Sequence, residues 1–393
     1  MSLISKLRRI ALDHQGLLKK KPFGRGKQGV LRAIEHLGYV QIDTISVVER
    51  AHHHVLWSRV PGYRPEYLDQ LVRDRSIFEY WFHAAAWLPM RDYRFALPRM
   101  NQLDGDRNWF KTFDKKLNRQ ILQRIAAEGP LRARDFEDDR NGRKQWWDWK
   151  PAKQALEQLF MQGELMVSSR EGFQKVYDLP ERVLPDWVDT SCPSIDEFAC
   201  HLIDTTLRAH GFASQKSITY LRKGKALRNA VDEELQRRME NGELTIINIT
   251  GNNNLIVSPE LLESRAPCSR ARVKIMSPFD NVVIQRQRLR EIFDFGYQIE
   301  CYVPEAKRQF GYFCLPILYR DQFAGRIDCK AHRSSKVLEI KSLILENKLD
   351  DEFMPALKSA LSRFAHFNNC QKLCLGSSVA DQISRCIVAE LNQ

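Results

Sequence analysis

Apolar positions recur at helical spacing over residues 3–17 and again over 27–37, where the second run stops at Gly38. The period then drops to two. In the stretch YVQID, Tyr39 to Asp43, a short strand puts Val40 and Ile42 on one side and Tyr39, Gln41 and Asp43 on the other. Ser46-Val47-Val48-Glu49 has the form of a capping box and predicts a helix running through Arg59, ended by Pro61-Gly62. Residues 64–74 are helical again, and 77–89 (IFEYWFHAAAWLP) make an aromatic-rich apolar run.

The middle of the chain repeats itself. A helix over 115–128 stops at Gly129-Pro130, a shorter one lies near 133–138, and a third ends near Gln162 with Gly163 as its stop. Two alternating runs, Glu164–Arg170 and Phe173–Leu179, then flank Glu171-Gly172 as a hairpin. The same order returns with a capping box at Ser194–Glu197, a helix to His210 stopped by Gly211, a short helix over Ser214–Arg222 and a helix over 226–240. Gly242-Glu243-Leu244 repeats Gly163-Glu164-Leu165, and a hairpin follows around Gly251–Asn254. Helix, short helix, longer helix, hairpin is the winged-helix order, a variant of helix-turn-helix. The opening segment is a diverged third copy at most. It shares the helix–glycine–strand step.

From about residue 265 short strands separated by turns replace the helices, with a helix near 350–366, the run KLCLG and a terminal helix. The expected architecture is therefore α+β. Tandem winged-helix segments at 1–110, 111–190 and 191–264 are followed by a β-barrel-like segment at 265–393.

Charge sharpens this picture. The 393 residues hold 61 Lys+Arg against 49 Asp+Glu, a formal net charge of +12. Residues 1 to 60 carry 11 Lys/Arg against 4 Asp/Glu, so the surplus is concentrated near the start. A cationic face attracts a polyanion through phosphate contacts and counterion release. DNA, RNA and an anionic membrane surface all fit that signal. Lys20, Lys21, Arg25 and Lys27 are candidate phosphate contacts, as are Lys307, Arg308, Arg326, Lys330 and Arg333 further on. Nine scattered cysteines without a CxxC pair read as reduced thiols and offer no zinc or iron–sulfur site. No apolar run reaches the roughly 18 residues that a membrane span needs, and the first residues lack an apolar signal core. A cytoplasmic address is expected.

Gln41 and Asp43 stand out chemically. Asp43 could merely hold the chain ahead of a helix. A carboxylate also weakens phosphate binding in a basic region, and a developing positive charge would give it a purpose. In AHHHVL (51–56) successive helix residues point about 100° apart, so the three histidines cannot share one ion. His52 and His53 are candidates for phosphate or base contact, or for plain packing. Tyr80, Trp81 and His83 are candidate lesion contacts if they do not belong to a core. The cluster NGRKQWWDWK (141–150) suits either a recognition-helix approach or a packing seam.

Together, YVQIDTISVVERAHHHVLWSRVPGY, FEYWFHAAAWLP, SPFDNVV (277–283) and YVPEAKRQFGYFCLPILYRDQFAGRIDCKAHR (302–333) resemble the bacterial AlkZ/AlkX DNA glycosylases, and more narrowly the AlkX (YcaQ-like) branch. The resemblance implies tandem winged helices and a β-barrel-like domain closing as a C-shaped clamp on double-stranded DNA. It also implies excision of alkylated purines, above all N7-alkylguanine, and unhooking of interstrand crosslinks by a monomer associated with the bacterial nucleoid. The AlkX branch carries Gln-x-Asp, matched here by Gln41 and Asp43. One departure is visible. Where family members often continue SPFDN into Trp-Asp-Arg, this chain has Ile284-Gln285-Arg286, which leaves Arg286 as the DNA contact of that segment.

The implied chemistry suits those two side chains. An N7-alkylguanine already bears positive charge and leaves as a neutral base with little help from an acid. What remains is an oxocarbenium-like sugar and the water that traps it. Asp43 can stabilise the cation and accept the water's proton, and Gln41 can position the water. That scheme calls for no metal or organic cofactor. A crosslink tethers both strands and resists full flipping of the base, so an open cleft is expected. A non-catalytic winged-helix regulator of transcription is the competing expectation. It would place specificity in helices 150–162 and 226–240, while charge by itself would also suit an RNA-binding accessory protein.

Overall fold

A computed structural model describes residues 1–103, 114–136, 151–249, 253–346, 349–376 and 379. The chain forms two compact units, one of Met1–Arg64 with Leu202–Gln393 and one of Pro65–His201. The cluster at 141–150, the tip of the hairpin near Gly251, the terminal helix and Cys386 lie outside the described residues.

The repeat read from the sequence is present as a repeat of elements. Helix Lys115–Glu128, strand Leu131–Arg132, a short turn of 3-10 helix, helix Pro151–Met161 and strands Met166–Glu171 and Gln174–Asp178 follow in order. Helix Ile195–His210, strand Phe212–Ala213, helix Gln215–Ile218, helix Lys225–Glu240 and strands Thr245–Ile249 and Asn253–Val257 repeat that order. In both copies the last strand lies in the middle of a three-stranded antiparallel sheet. The local signals act as expected. Ser194 Oγ accepts from Glu197 N at 3.1 Å while the Glu197 carboxylate accepts from Ser194 N at 2.8 Å, closing the capping box.

Within the Pro65–His201 unit, the aromatic run at 77–89 folds as a β-hairpin, Ile77–Trp81 against Ala85–Pro89. Alternation along its first strand was masked by Glu79, which looks like a solvent-facing residue. Glu79 is buried and takes both prongs of the Arg170 guanidinium at 2.8 and 2.9 Å.

The other unit is built on a five-stranded sheet. Strands Val273–Ile275, Cys314–Tyr319, Gln322–His332 and Val337–Leu345 are successively antiparallel, and Lys372–Leu375 joins in parallel after helix Phe353–Phe367. Register shifts at Ile317/Leu318 and Asp328/Cys329 bend it, so the β-barrel-like expectation resolves into a half-barrel. In its core Ile275, Leu315, Ile317, Ile327, Leu338 and Ile340 of the sheet cluster with Leu357, Leu361 and Phe364 of the helix. The opening helix Leu3–His14 buries Leu7, Ile10 and Leu12 with Leu289, Ile292 and Phe293 of helix Arg286–Phe293.

Candidate functional site

The strand that carries Gln41 is shorter than its alternation suggests. It is regular over Val40–Gln41 alone, and Tyr39 through Ile42 are all 7% exposed or less. The expected separation into a buried and an open face is therefore corrected: both faces are covered, and Asp43 lies beyond the strand. There Asp43 is half-buried, and its Oδ1 accepts from Ile45 N at 2.8 Å in an Asx turn. Burial pushes its carboxyl above the usual range, with the Ile45 amide opposing. Among the described residues no lysine or arginine forms a salt bridge with it.

Long-range contacts fix this segment. Helix Gly26–Leu37 ends on Gly38 at φ +80°, where an added Cβ would sit 2.2 Å from Thr205 Cγ2. Asn281 Nδ2 donates to Tyr39 O at 3.1 Å. Its neighbour Asp280 is buried and bound in both carboxylate oxygens by Arg59. The SPFDN motif therefore anchors the Gln41 strand. Arg286, expected to touch DNA, instead donates to Val283 O at 2.7 Å and Pro278 O at 2.9 Å and covers the Tyr297 ring. That arginine closes the motif's own turn.

The helix expected from Ser46 begins only at Ala51 and runs to Trp57. Main-chain atoms of 46–49 are engaged elsewhere, which is why the capping box does not form. Ala331 N donates to Val47 O at 2.9 Å, Arg333 donates to Ser46 O and Val48 O at 2.9 Å each, and Glu49 N donates to Asn368 Oδ1 at 2.7 Å. Arg333, predicted as a phosphate contact, thus holds the backbone just past Asp43. The histidines diverge as the helix geometry requires. His52 is buried, His53 Nδ1 meets Tyr63 Oη at 2.6 Å, and His54 Nε2 donates to Ile275 O at 2.9 Å. Burial holds His54 down to about 4, hence neutral. His52 has no surface with which to meet a phosphate. Among the described residues no group of three or more His, Cys, Asp or Glu is placed to hold a metal ion.

A loop from Glu300 to Tyr312 borders Asp43. The Cys301 thiol is raised by burial and then by the Asp43 charge, and Ile45 and Cys301 pack on the same core. Tyr302, in this loop, also feels Asp43. Sequence reasoning passed over Tyr302, although it stands inside the motif quoted above. It also missed Asp280 and Asn281, whose partners lie far away along the chain, and Glu300, whose partners are backbone amides.

The remaining candidate cations divide. Lys20, Lys21, Arg25, Lys307 and Lys330 are exposed and Lys27 is half-buried. Arg326 is corrected: it is 4% exposed, donates to Glu346 and Gly296 O, and lies 3.9 Å over the Phe310 ring. Arg308 is spent on Val303 O at 2.9 Å and on the Tyr312 ring. In the Pro65–His201 unit, Tyr80 is 1% exposed with its hydroxyl donating to Met161 O at 2.6 Å. It is a core residue and offers no face to a base. Trp81 and His83 are half-buried, with the Arg99 guanidinium 5.5 Å over the Trp81 ring.

A family model for AlkZ-like DNA glycosylases matches residues 34–367, which contain Gln41, Asp43, the SPFDN motif and the Glu300 loop. The chain belongs to that family. It is a DNA glycosylase, a hydrolase of DNA repair. Its fold is similar to that of the Streptomyces sahachiroi DNA glycosylase AlkZ, with a TM-score of 0.63 and 15% identity over 96% of this chain and 99% of that one. No helix among the described residues is long and apolar enough to cross a membrane.

Proposed function

We propose that this AlkZ-like glycosylase belongs to the Gln-x-Asp branch and hydrolyses the N-glycosidic bond of alkylated purines, N7-alkylguanine above all, in duplex DNA. Asp43 carries the reading. It is a carboxylate kept half out of water without a salt-bridge partner, in a chain of net charge +12. An anion so placed is stabilised when positive charge appears beside it, as it does at C1′ while the base leaves.

In the step envisaged, the C1′–N9 electron pair departs with the purine and neutralises its N7-alkyl cation. A water oxygen bonds to C1′, and that water's proton passes to Asp43. Gln41, two residues away and 7% exposed, supplies an amide whose oxygen is of the kind that accepts from the water. The sugar is released as an abasic site without a covalent link to the enzyme. The two helix–hairpin repeats act as winged-helix modules on the duplex. Lys20, Lys21, Arg25, Lys307 and Lys330 supply phosphate contacts. An attack of this kind on an open substrate also suits unhooking of interstrand crosslinks, where flipping is hindered.

The test is a duplex holding one N7-methylguanine, incubated with purified protein and then treated with alkali. Strand breaks at the lesion with wild type, and a loss of at least a hundredfold in rate with Asp43→Asn at near-unchanged duplex affinity, are the expected results. Intact strands in the presence of bound, folded wild-type protein would put the non-catalytic regulator ahead.

A further inference from the structure

The loop beside Asp43 is drawn shut at its neck. The Glu300 carboxylate accepts from Gln309 N at 3.0 Å, Phe310 N at 2.8 Å and Gly311 N at 3.1 Å. Asp328, re-aimed by the register shift next to it, accepts from Tyr312 N at 2.9 Å. Gly311, at φ +137°, lets this happen: a Cβ there would lie 2.2 Å from Asp328 Oδ2. Arg308 ties Val303 O on one side of the loop to the Tyr312 ring on the other. Two carboxylates and a guanidinium thus hold a surface loop in one conformation.

That rigid loop presents Tyr302, which at 75% exposed is the most exposed large apolar side chain among the described residues. A lone exposed tyrosine is ordinary on a mobile surface. Here the backbone is pinned on both sides of it, and Cys301 next to it packs on the same core as Ile45, whose amide holds Asp43. A pinned aromatic face loses little freedom on binding. Such a face stacks on any base and attracts a cationic one more strongly, because its quadrupole is negative above the ring.

We propose that Tyr302 is the face on which the target purine stacks beside Asp43, and that its ring selects purines made cationic by alkylation over neutral ones. This rests on Asp43 being the site of chemistry, as argued above. Ring and carboxylate then have separate roles. The ring recognises charge on the base, and Asp43 meets charge on the sugar.

The experiment separates the two. Full-length wild type, Tyr302→Phe and Tyr302→Ala are titrated by fluorescence anisotropy onto three duplexes. One carries a 2′-fluorinated N7-methylguanosine, which cannot be hydrolysed, one its unmethylated 2′-fluoroguanosine counterpart, and one no modification. Binding is read without turnover, so the result stands whether or not Asp43 proves catalytic. That question is answered separately by Asp43→Asn on the cleavable lesion. Wild type is expected to prefer the methylated duplex, and Tyr302→Ala to lose about threefold to thirtyfold of that preference. Tyr302→Phe should retain it, and all three proteins should bind the unmodified duplex alike. Circular dichroism of each variant checks that the fold is intact. The proposal is overturned if Tyr302→Ala keeps the wild-type preference, if Tyr302→Phe loses as much as Tyr302→Ala, or if Tyr302→Ala weakens all three duplexes equally. The last result would make Tyr302 a general surface contact.

Discussion

Arg59 and Asp280 stand 221 residues apart and close a two-pronged ion pair, Nη1–Oδ2 2.6 Å and Nη2–Oδ1 2.8 Å, with both side chains fully buried. Arg59 also donates to Gln15 O, Gln15 Oε1 and Val55 O, so all five of its N–H donors are used. Asp280 in turn accepts from Val282 N and stands next to Asn281, the residue that holds Tyr39 O. One buried pair therefore joins the helix after the Gln-x-Asp segment, the loop after the first helix and the SPFDN turn.

Breaking that pair leaves a charge stranded. Arg59→Ala or Asp280→Asn is expected to cost about 3–5 kcal/mol of unfolding free energy, measured by urea denaturation. Arg59→Met with Asp280→Leu should cost clearly less than the two single losses added together, because neither charge is then left buried alone. A deficit equal to the sum would mean that the groups act independently.

Gly38 leaves no room for a side chain just ahead of the Gln41 strand. Its left-handed φ of +80° and the 2.2 Å approach of Thr205 Cγ2 to a virtual Cβ make two separate objections to any side chain. Gly38→Ala should destabilise by about 1–3 kcal/mol. Adding Thr205→Ser removes the Cγ2 methyl and should recover part of that loss, leaving the backbone strain. Equal melting temperatures for Gly38→Ala with and without Thr205→Ser would show that the crowding plays no part.

What could be read from the sequence alone was local. Glycine stops and strands flanking Glu171-Gly172 are decided within a few residues, and the repeated helix–hairpin order followed from them. So did the Ser194–Glu197 cap, since nothing distant competes for those atoms. Ser46–Glu49 carries the same signature and fails, because Ala331, Arg333 and Asn368 claim its main chain first. Arg59, Arg326 and Arg333 looked like a surplus of surface charge until their partners arrived from remote positions, and Arg286 until the turn it closes had formed. Tyr302 and Glu300 were in plain sight, within or beside a quoted motif. The clasp that gives them meaning pairs a side chain with backbone amides, which no residue pattern displays.

Phosphate contacts make a sharper prediction than affinity alone. Lys20→Ala and Lys21→Ala should each weaken duplex binding equally for damaged and undamaged DNA, and each should lower the slope of log affinity against log salt by about 0.9. Arg326→Ala should behave differently. With Glu346 and Gly296 O losing their partner, the change appears as a lower melting temperature while the salt slope stays where it was. Anisotropy titrations over a salt series, with thermal melts alongside, distinguish the two kinds of cation.

Asp43 should couple stability to activity with opposite signs. Burial raises its carboxyl above the ordinary value of 3.8, so the folded chain holds that proton to a higher pH than the unfolded chain does. Between the two values the native state binds more protons, and unfolding free energy falls as pH rises through that window. At neutral pH the ionised carboxylate is therefore a burden on the fold. An asparagine in its place would keep an oxygen acceptor for Ile45 N while carrying no charge, so Asp43→Asn is expected to melt higher than wild type at pH 7. The gap should close as pH falls below the ordinary value of 3.8, where the carboxyl is neutral in the folded and the unfolded chain alike. Excision runs the other way. It needs the anion, so the wild-type single-turnover rate should fall as pH drops through the raised value, and Asp43→Asn should be slow at every pH. A strained charge kept for chemistry predicts both results in one substitution. An Asp43→Asn protein that melts lower than wild type at pH 7 would mean that the carboxylate supports the fold instead.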